Sequence, residues 1–430
     1  MLVRFLVPAN IRHNSGGNVY NARLTQGLRS LGVAVEMLAV EGSWPDASAR
    51  DRRRLGGLLG AWDPRPDSSQ SDITPETVTL VDGLIACGAP GELEYAAAAG
   101  QHPWVLQHMP SPSHPSGEGR ALRAAAGVIC TSSSAAASAA EKHGLRASRV
   151  VLPGTDTAPV ASGSAPPHII AVAALLPNKD QLLTVAALSR LRDLAWTASL
   201  VGTDDADPAY AAQVRAAIAS LGMEDRVRVT GQLAGTELAD EWSRTDLSLL
   251  VSRAEAFGLV VTESLAHGIP VIVREGTGAV DALGLAGRLA GRLAQRVGRL
   301  AGKPDGERGG ERDGGTYAVP GAAVGLAGPE GDAPRGNGPE DHHADVLAAV
   351  IRQWLVDESL RAGWRAAALA AREQLPGWDS TARNVLEILG VPAKTPPAKT
   401  PAAKTPAAKT PPEETPAAGM PTAAGTAGGQ

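Results

Sequence analysis

Short apolar runs alternate along the chain with longer segments in which apolar residues recur every three or four positions. The run Val3 to Val7 has the length and composition of a buried strand, and Gly17 to Leu31 has the spacing of an amphipathic helix. Further strand-like runs are Val33 to Leu38, Val78 to Val81, Trp104 to Gln107 and Val128 to Cys130. Ser132 to His143 supplies another helical crossover. This alternation predicts an α/β fold with a doubly wound parallel sheet.

A second series of the same kind begins after residues 158–167, a segment rich in proline, serine and alanine. Its strand-like runs are Ile169 to Val172, Ala198 to Val201, Val227 to Val229, Leu247 to Val251, Val271 to Val273 and Ala322 to Leu326. Two such units joined by a proline-rich linker predict two lobes that face a central cleft. We expect a first domain over residues 1–160 and a second over residues 161–375.

Residues 283–320 interrupt this alternation. The apolar residues of the segment are spaced for one helix face: Leu285, Leu289, Leu293, Val297 and Leu300. Four arginines lie alongside them. A basic amphipathic helix suits weak peripheral contact with an anionic membrane surface. Repeated glycines in the same stretch disfavour a helix. The prediction that we prefer is therefore a solvated low-complexity insertion.

Two further segments close the chain. Residues 376–390 begin with a proline-glycine turn, and after Trp378 they carry a capping residue and an apolar stripe, which predicts a helix. From residue 391 to residue 430, repeats of alanine, lysine, threonine and proline leave little apolar surface to bury. We expect this tail to be disordered.

Composition restricts the function classes. The formal net charge of -5 and the pI of about 6.0 argue against a nucleic-acid-binding protein, which would carry a basic stripe. The first apolar run ends at Pro8, too early for a signal peptide, and no run reaches the roughly 18 residues that span a bilayer. Cys87 and Cys130 lie in apolar segments without paired spacing and are expected to be buried free thiols. These features favour a cytoplasmic protein.

Two glutamates, Glu255 and Glu263, stand eight positions apart where a strand-like run gives way to a helical pattern. The start of a helix presents free N–H groups and a positive dipole end to an anion. Glu255 precedes the helix, and Glu263 lies two turns along it. Carboxylates that accept hydrogen bonds beside an anion site suit a ligand with several hydroxyls and a phosphate. A charged pair on an ordinary helix is the alternative.

The stretch resembles the glutamate–seven residues–glutamate motif of retaining glycosyltransferases with the GT-B fold, in particular glycosyltransferase family 4. Phe257 and Gly258 inside the motif, and the run His267 to Val271 after it, strengthen the resemblance. It implies two Rossmann-like domains. It also implies that Glu255 holds hydroxyls of the donor sugar and that Glu263 holds the ribose of the nucleotide. In the same family a final helix led by a tryptophan returns to the first lobe.

The resemblance extends to the first lobe. Gly16 and Gly17 follow a strand and begin a helix, which allows close approach of a phosphate. A glycine pair in this loop of family 4 enzymes faces the donor diphosphate. His108 follows a strand at the edge where open α/β sheets bind ligands. A structural histidine is the ordinary interpretation, whereas the resemblance implies one close to the transferred sugar.

Cationic groups are expected in the second lobe. Lys179 follows the first strand of that lobe and can donate to a diphosphate, although a surface lysine is the alternative. Family members commonly carry an arginine five residues earlier, where this chain has Ala174. Arg253, next to Glu255, is a candidate to replace its charge. Thr277, in a glycine-rich loop, is a candidate near the same phosphates.

The resemblance implies a retaining glycosyltransferase that moves a sugar from a nucleotide-diphosphate donor to an acceptor hydroxyl. It implies no cofactor beyond this co-substrate and no bound metal. The sequence does not identify the acceptor and leaves it open among a glycan, a lipid and a small molecule. Two alternatives remain open: a GT-B nucleotide-sugar epimerase, and a catalytically silent nucleotide-sugar-binding protein, which Ala174 and the insertion favour. No Walker, zinc-protease or nucleophile-elbow motif is found.

Overall fold

The structure is a computed structural model that describes residues 2–11, 15–62, 77–111, 113–285, 319–326 and 339–390. Most of the predicted insertion and the whole predicted tail, residues 286–318 and 391–430, lie outside the described residues. Our predictions of their structure therefore stay predictions.

Six described strands form the sheet of the first lobe, in the order β2-β1-β3-β4-β5-β6. Neighbouring strands all pair in parallel. The strands are β1 (Leu2–Pro8), β2 (Ala34–Val40), β3 (Thr77–Asp82), β4 (Trp104–Gln107), β5 (Gly127–Cys130) and β6 (Arg149–Val150). Their apolar residues are buried because helices cover both faces of the sheet, as parallel sheets require.

The second lobe repeats this architecture with six described strands in the order β12-β11-β10-β7-β8-β9, again all parallel. They are β7 (His168–Val172), β8 (Thr197–Val201), β9 (Val227–Gly231), β10 (Leu247–Leu250), β11 (Val271–Arg274) and β12 (Gly321–Val324). The predicted α/β fold with two doubly wound parallel sheets is confirmed.

Helices connect the strands on both faces of each sheet. Those of the first lobe are α1 (Gly16–Ser30), α2 (Ala49–Leu58), α3 (Gly83–Gly88), α4 (Pro90–Ala98), α5 (Pro115–Ala124) and α6 (Ser133–His143). In the second lobe a short 3₁₀ helix (Pro177–Lys179) precedes α7 (Gln181–Ser189), α8 (Pro208–Ser220), α9 (Gly235–Ser243), α10 (Leu259–Ala266), α11 (279–285), α12 (Pro339–Val356) and α13 (Glu358–Arg372).

The last described helix, α14 (Trp378–Ile388), lies against the first lobe. Its Ala382 belongs to the same buried apolar cluster as Phe5 of β1 and Leu24 of α1. The indole of Trp378 meets the ring of Tyr20 edge to face, with centroids 5.7 Å apart. The chain thus crosses from the second lobe back to the first and packs into its core.

Both cysteines are buried and free. Burial raises the pKa of Cys87 and of Cys130 to about 11. Both thiols therefore stay protonated at neutral pH.

The linker between β6 and β7, residues 151–167, approaches α14 without room for a side chain. A Cβ added at Gly154 would lie 2.3 Å from the backbone nitrogen of Trp378. Since that contact is with backbone, Gly154→Ala must displace α14, and we expect it to lower the free energy of unfolding by about 1–3 kcal/mol. Thermal unfolding measures the effect.

Gly57→Ala is the matched control. Gly57 is exposed in α2, and a Cβ added there meets nothing within 4 Å. Alanine should be neutral or should stabilise the helix by up to about 1 kcal/mol. Equal melting temperatures for the two variants would contradict the packing of Gly154 against α14.

Candidate active site between the two lobes

The predicted site residues of the second lobe gather at one edge of its sheet. Lys179 follows β7, Arg253 and Glu255 follow β10, and Thr277 follows β11. Because β7, β10 and β11 are parallel neighbours, their carboxyl ends reach the same edge. This is the edge at which open α/β sheets place ligands.

Lys179 and Glu255 form an ion pair at this edge. Lys179 Nζ donates to Glu255 Oε1 at 2.5 Å, and the two side chains are 22% and 13% exposed. Each charge is therefore compensated by the other. A ligand that contacts Glu255 also comes within reach of Lys179.

Asp180, the residue after Lys179, draws two arginines together. It is buried in a left-handed conformation at φ 57°, and its carboxylate accepts from Arg253 Nε and Nη2, each at 3.1 Å. Arg274 Nη2 donates to the same carboxylate, while Arg274 Nε donates to the carbonyl of Val251 at 2.8 Å. Two guanidinium groups against one carboxylate leave an excess of one positive charge beside the Lys179–Glu255 pair. Sequence reasoning missed Asp180 and Arg274.

The loop before α10 is shaped by packing inside the lobe. Phe257 is 3% exposed and belongs to the apolar core, so only its backbone can reach a ligand. Gly258 caps α10 at φ 81°, a conformation that favours glycine, and no side chain caps the helix. The hydroxyl of Thr277 donates to the carbonyl of Arg274 at 3.0 Å. The N-terminal N–H groups of α10 are thus left without a side-chain acceptor.

The glycine pair of the first lobe lies opposite this helix start. Gly16 begins α1, and a Cβ built on it would lie 3.7 Å from Cδ1 of Leu259, the first residue of α10. Gly17 contacts the ring of His108, whose Cδ2 would be 3.3 Å from an added Cβ. The positive ends of two helices, one from each lobe, therefore approach each other.

His108 is the last member of a buried polar chain. Its Nε2 lies 2.9 Å from Asn21 Oδ1 and 3.5 Å from Asp82 Oδ2, and Asn21 Nδ2 donates to Asp82 Oδ2 at 2.9 Å. Burial favours the neutral form of Asp82, but hydrogen bonds from His108, Asn21 and the Leu84 amide outweigh it and lower the Asp82 pKa. Sequence reasoning missed Asn21 and Asp82. Asp82 ends a strand at the same edge as His108, and this position is the signal from which it could have been found.

Glu263 lines a cavity of about 330 Å³ between the lobes. Val19 and Arg23 of α1, Trp378 of α14 and residues 154–159 of the linker line its other sides, together with Trp242 of α9 and His267 beyond α10. Burial raises the pKa of Glu263, and the nearby Asp156 raises it further, while Arg23 lowers it. The carboxyl group thus lies in the interlobe cavity, and the residue is partly exposed.

The structure does not bring all predicted residues into one cavity. Glu255 and Lys179 lie at the sheet edge and Glu263 lies in the interlobe cavity, with Leu259 of α10 lining that cavity and touching Gly16. His342 and His343 lie in the first turns of α12. The described residues contain no group of three or more potential metal ligands.

No helix of the described chain is long and apolar enough to cross a bilayer.

Comparison with known proteins gives relatives for part of the chain. Residues 166–302, under half of the chain, match the family model Glycosyl transferases group 1. The matched range contains Lys179, Glu255 and Glu263. A mannosylfructose-phosphate synthase of Agrobacterium fabrum is 32% identical over 111 residues, which is 24% of this chain and 24% of that protein.

A D-inositol 3-phosphate glycosyltransferase of Kineococcus radiotolerans is 29% identical over 213 residues, 48% of this chain. The matches thus span 24% and 40% of the lengths of these two relatives. Among solved structures, Anabaena HepE in complex with UDP and glucose superposes with a TM-score of 0.59 at 18% identity, over 91% of this chain and 99% of that one. This likeness shows the GT-B fold. The chain therefore adopts that fold, and the resemblance of its second lobe to the group 1 glycosyl transferases is confirmed.

Proposed function

We propose that this protein is a retaining glycosyltransferase that moves a sugar from a nucleotide-diphosphate donor to a hydroxyl of an acceptor. The observation that carries the proposal is the arrangement around α10: Glu255 paired with Lys179 before the helix, Glu263 in the interlobe cavity, and Gly16 opposite the helix start. The group 1 family match over residues 166–302 supports it.

The diphosphate is the best-supported part of the ligand. The starts of α1 and α10 converge without a side-chain cap on α10, and such helix starts bind anions. Lys179 and Arg253 add cationic side chains at the same sheet edge. Stabilisation of charge on the departing nucleotide by these groups supplies the main catalytic effect, without a metal ion or a further cofactor.

The sugar and the nucleoside occupy the two sides of α10. Glu255 accepts hydrogen bonds from sugar hydroxyls, and Lys179 moves from its carboxylate towards the diphosphate. Glu263 accepts from the ribose, and the cavity wall of Trp242 and His267, whose rings stack 5.2 Å apart, offers an aromatic surface to the nucleoside. The UDP and glucose in the HepE structure support a donor of this class.

Retention follows from the position of the acceptor. His108, beside Gly17, positions the sugar, and the acceptor hydroxyl attacks from the face that the diphosphate leaves. The acceptor proton passes to the departing phosphate oxygen, the new glycosidic bond forms, and the bond to the diphosphate breaks. No enzyme nucleophile takes part.

A panel of UDP-, GDP- and ADP-sugars tests the proposal. Release of free nucleotide on addition of an acceptor extract supports transfer, and mass spectrometry identifies the product. Tight binding without release would favour a catalytically silent binding protein, which Ala174 makes the second candidate. Conversion of the donor sugar without an acceptor would favour an epimerase.

The two glutamates should have separable effects. Glu255→Ala should reduce transfer by about 100-fold or more while bare nucleotide still binds, because only the donor sugar loses a carboxylate that accepts its hydrogen bonds. Glu263→Ala should weaken binding of the bare nucleotide by about tenfold. Turnover and calorimetric titration measure the two effects. Glu224→Ala, at an exposed position of the same lobe, is the control and should change neither; full activity in both site variants would mean that the site is misplaced.

The raised pKa of Glu263 gives nucleotide binding a pH dependence. An ionised carboxylate accepts from both ribose hydroxyls, and protonation removes part of that capacity. Affinity for a nucleoside diphosphate should therefore fall as the pH drops from about 7 to about 5 by more in the wild type than in Glu263→Gln. Since titration of the phosphate affects both proteins equally, an identical pH profile for the two would exclude this role.

Arg253 should supply the charge that is absent at position 174. Arg253→Ala should lower kcat/KM by about tenfold through weaker stabilisation of the leaving group, and Ala174→Arg in that background should recover part of the loss. Arg228→Ala is the matched control, because the side chains of Arg228 and Arg253 are 59% and 57% exposed and each pairs with a buried acid. An equal loss in the control, or no recovery, would argue against this role for Arg253.

A further inference from the structure

The polar chain of Asp82, Asn21 and His108 has a direction that fixes the protonation of the histidine ring. Asp82 and Asn21 are 5% and 3% exposed, and the side chain of His108 is 17% exposed beside Gly17. Three elements supply the residues: Asp82 ends β3, Asn21 lies on α1, and His108 follows β4. This series of hydrogen-bonded side chains thus runs from the interior of the first lobe to the cleft.

The direction follows from what each group can donate. An ionised Asp82 only accepts: Oδ1 receives the Leu84 amide at 2.9 Å and Oδ2 receives Asn21 Nδ2 at 2.9 Å. Once Nδ2 of Asn21 donates to the carboxylate, Oδ1 of the same amide faces His108. A carbonyl oxygen only accepts, so His108 Nε2, at 2.9 Å, must carry a hydrogen.

A neutral imidazole with its hydrogen on Nε2 has a lone pair on Nδ1. Within the described part of the chain, no residue donates a hydrogen bond to His108 Nδ1. The ring is held in place by Tyr20, which it meets edge to face at 5.4 Å, and by Gly17. Tyr20 is itself fixed through its hydroxyl, which donates to the carbonyl of Val151 at 3.1 Å.

We propose that Asp82 and Asn21 are positioning residues that hold His108 in the tautomer with hydrogen on Nε2, so that Nδ1 accepts a hydrogen bond from a hydroxyl of the donor sugar. The partner of Nδ1 rests on the proposed function, whereas the tautomer rests on the hydrogen-bond geometry alone. His108 Nδ1 then recognises a sugar hydroxyl only as a hydrogen-bond donor: it accepts the hydroxyl hydrogen and does not donate to the hydroxyl oxygen.

The substitution Asp82→Asn should reverse the tautomer. The new side chain can still cap α3 with its carbonyl oxygen, since asparagine is a good helix cap, and its NH₂ group then faces Asn21. Asn21 must turn to accept, which points its own NH₂ group at His108 Nε2. That nitrogen must then accept, and the ring hydrogen moves to Nδ1.

Long-range proton–nitrogen correlation NMR on protein with isotope-labelled histidine reports the tautomer directly. At about pH 8, above the ordinary titration range of histidine, the wild type should show hydrogen on Nε2 and Asp82→Asn should show it on Nδ1. The His108→Gln variant identifies the signal. Asn21→Ala should keep the wild-type tautomer, because Nε2 lies 3.5 Å from Asp82 Oδ2 and can then donate to it directly. Asp207→Asn, the same change at the cap of α8, should leave the His108 signal unaltered.

Turnover tests the partner of Nδ1. With donor sugar, Asp82→Asn should lose about 10- to 100-fold in kcat/KM, and Asp207→Asn should lose none. A wild-type ring with hydrogen on Nδ1, or an Asp82→Asn ring with an unchanged tautomer, would overturn the proposal. A reversed tautomer with unchanged turnover would overturn the role of Nδ1. A wild type that binds and turns over no nucleotide-sugar would instead refute the proposed function and the sugar partner with it, and the ring signals would still decide the tautomer.

Discussion

Neighbouring parallel strands end at the same edge of their sheet, because each connection returns the chain, usually through a helix, to the opposite edge before the next strand begins. In the second lobe this constraint brings Lys179, Arg253 and Glu255 together from connections after two different strands. In the first lobe it places Asp82 and His108 side by side at the ends of β3 and β4. The close approach of Gly16 to Leu259 then sets the two edges against each other.

The charged side chains at the edge of the second lobe already have partners within the chain, with one positive charge in excess. Glu255 holds Lys179, and Asp180 holds Arg253 and Arg274. Breaking a partly buried ion pair without replacement is costly, so a ligand gains most when it exchanges one partner for another. A donor that carries both hydroxyls and a diphosphate does this: its hydroxyls replace Lys179 at Glu255, and its phosphates receive the lysine. A ligand with only one of these groups would leave a charge without its partner.

Near-continuous apolar runs made the fold predictable, because strands buried on both faces have that composition. Spacing and family resemblance together pointed to Glu255 and Glu263 around the start of α10. The hydrogen-bonded series of Asn21, Asp82 and His108 was not predicted. Asp82 and His108 lie 61 and 87 positions after Asn21, and the three residues meet only through the order of the strands. The left-handed conformation of Asp180 was missed for another reason, because no glycine marks it. Local pattern therefore located the strand ends, and only the packing of α1 on β3 and β4 assigned partners to them.

The site depends on contacts of unequal strength between the lobes. The backbone amide of Ser134 donates to Asp281 of the second lobe at 3.1 Å, and Arg23 pairs with Asp156 of the linker, but these groups are exposed and each such contact contributes about 0–1 kcal/mol. By contrast, α14 buries Ala382, Val385 and Leu386 in the core of the first lobe. Burial of a valine or leucine side chain stabilises by about 1.5–3 kcal/mol. The apolar face of α14, rather than the ionic contacts at the cleft, therefore keeps Glu263 opposite α1.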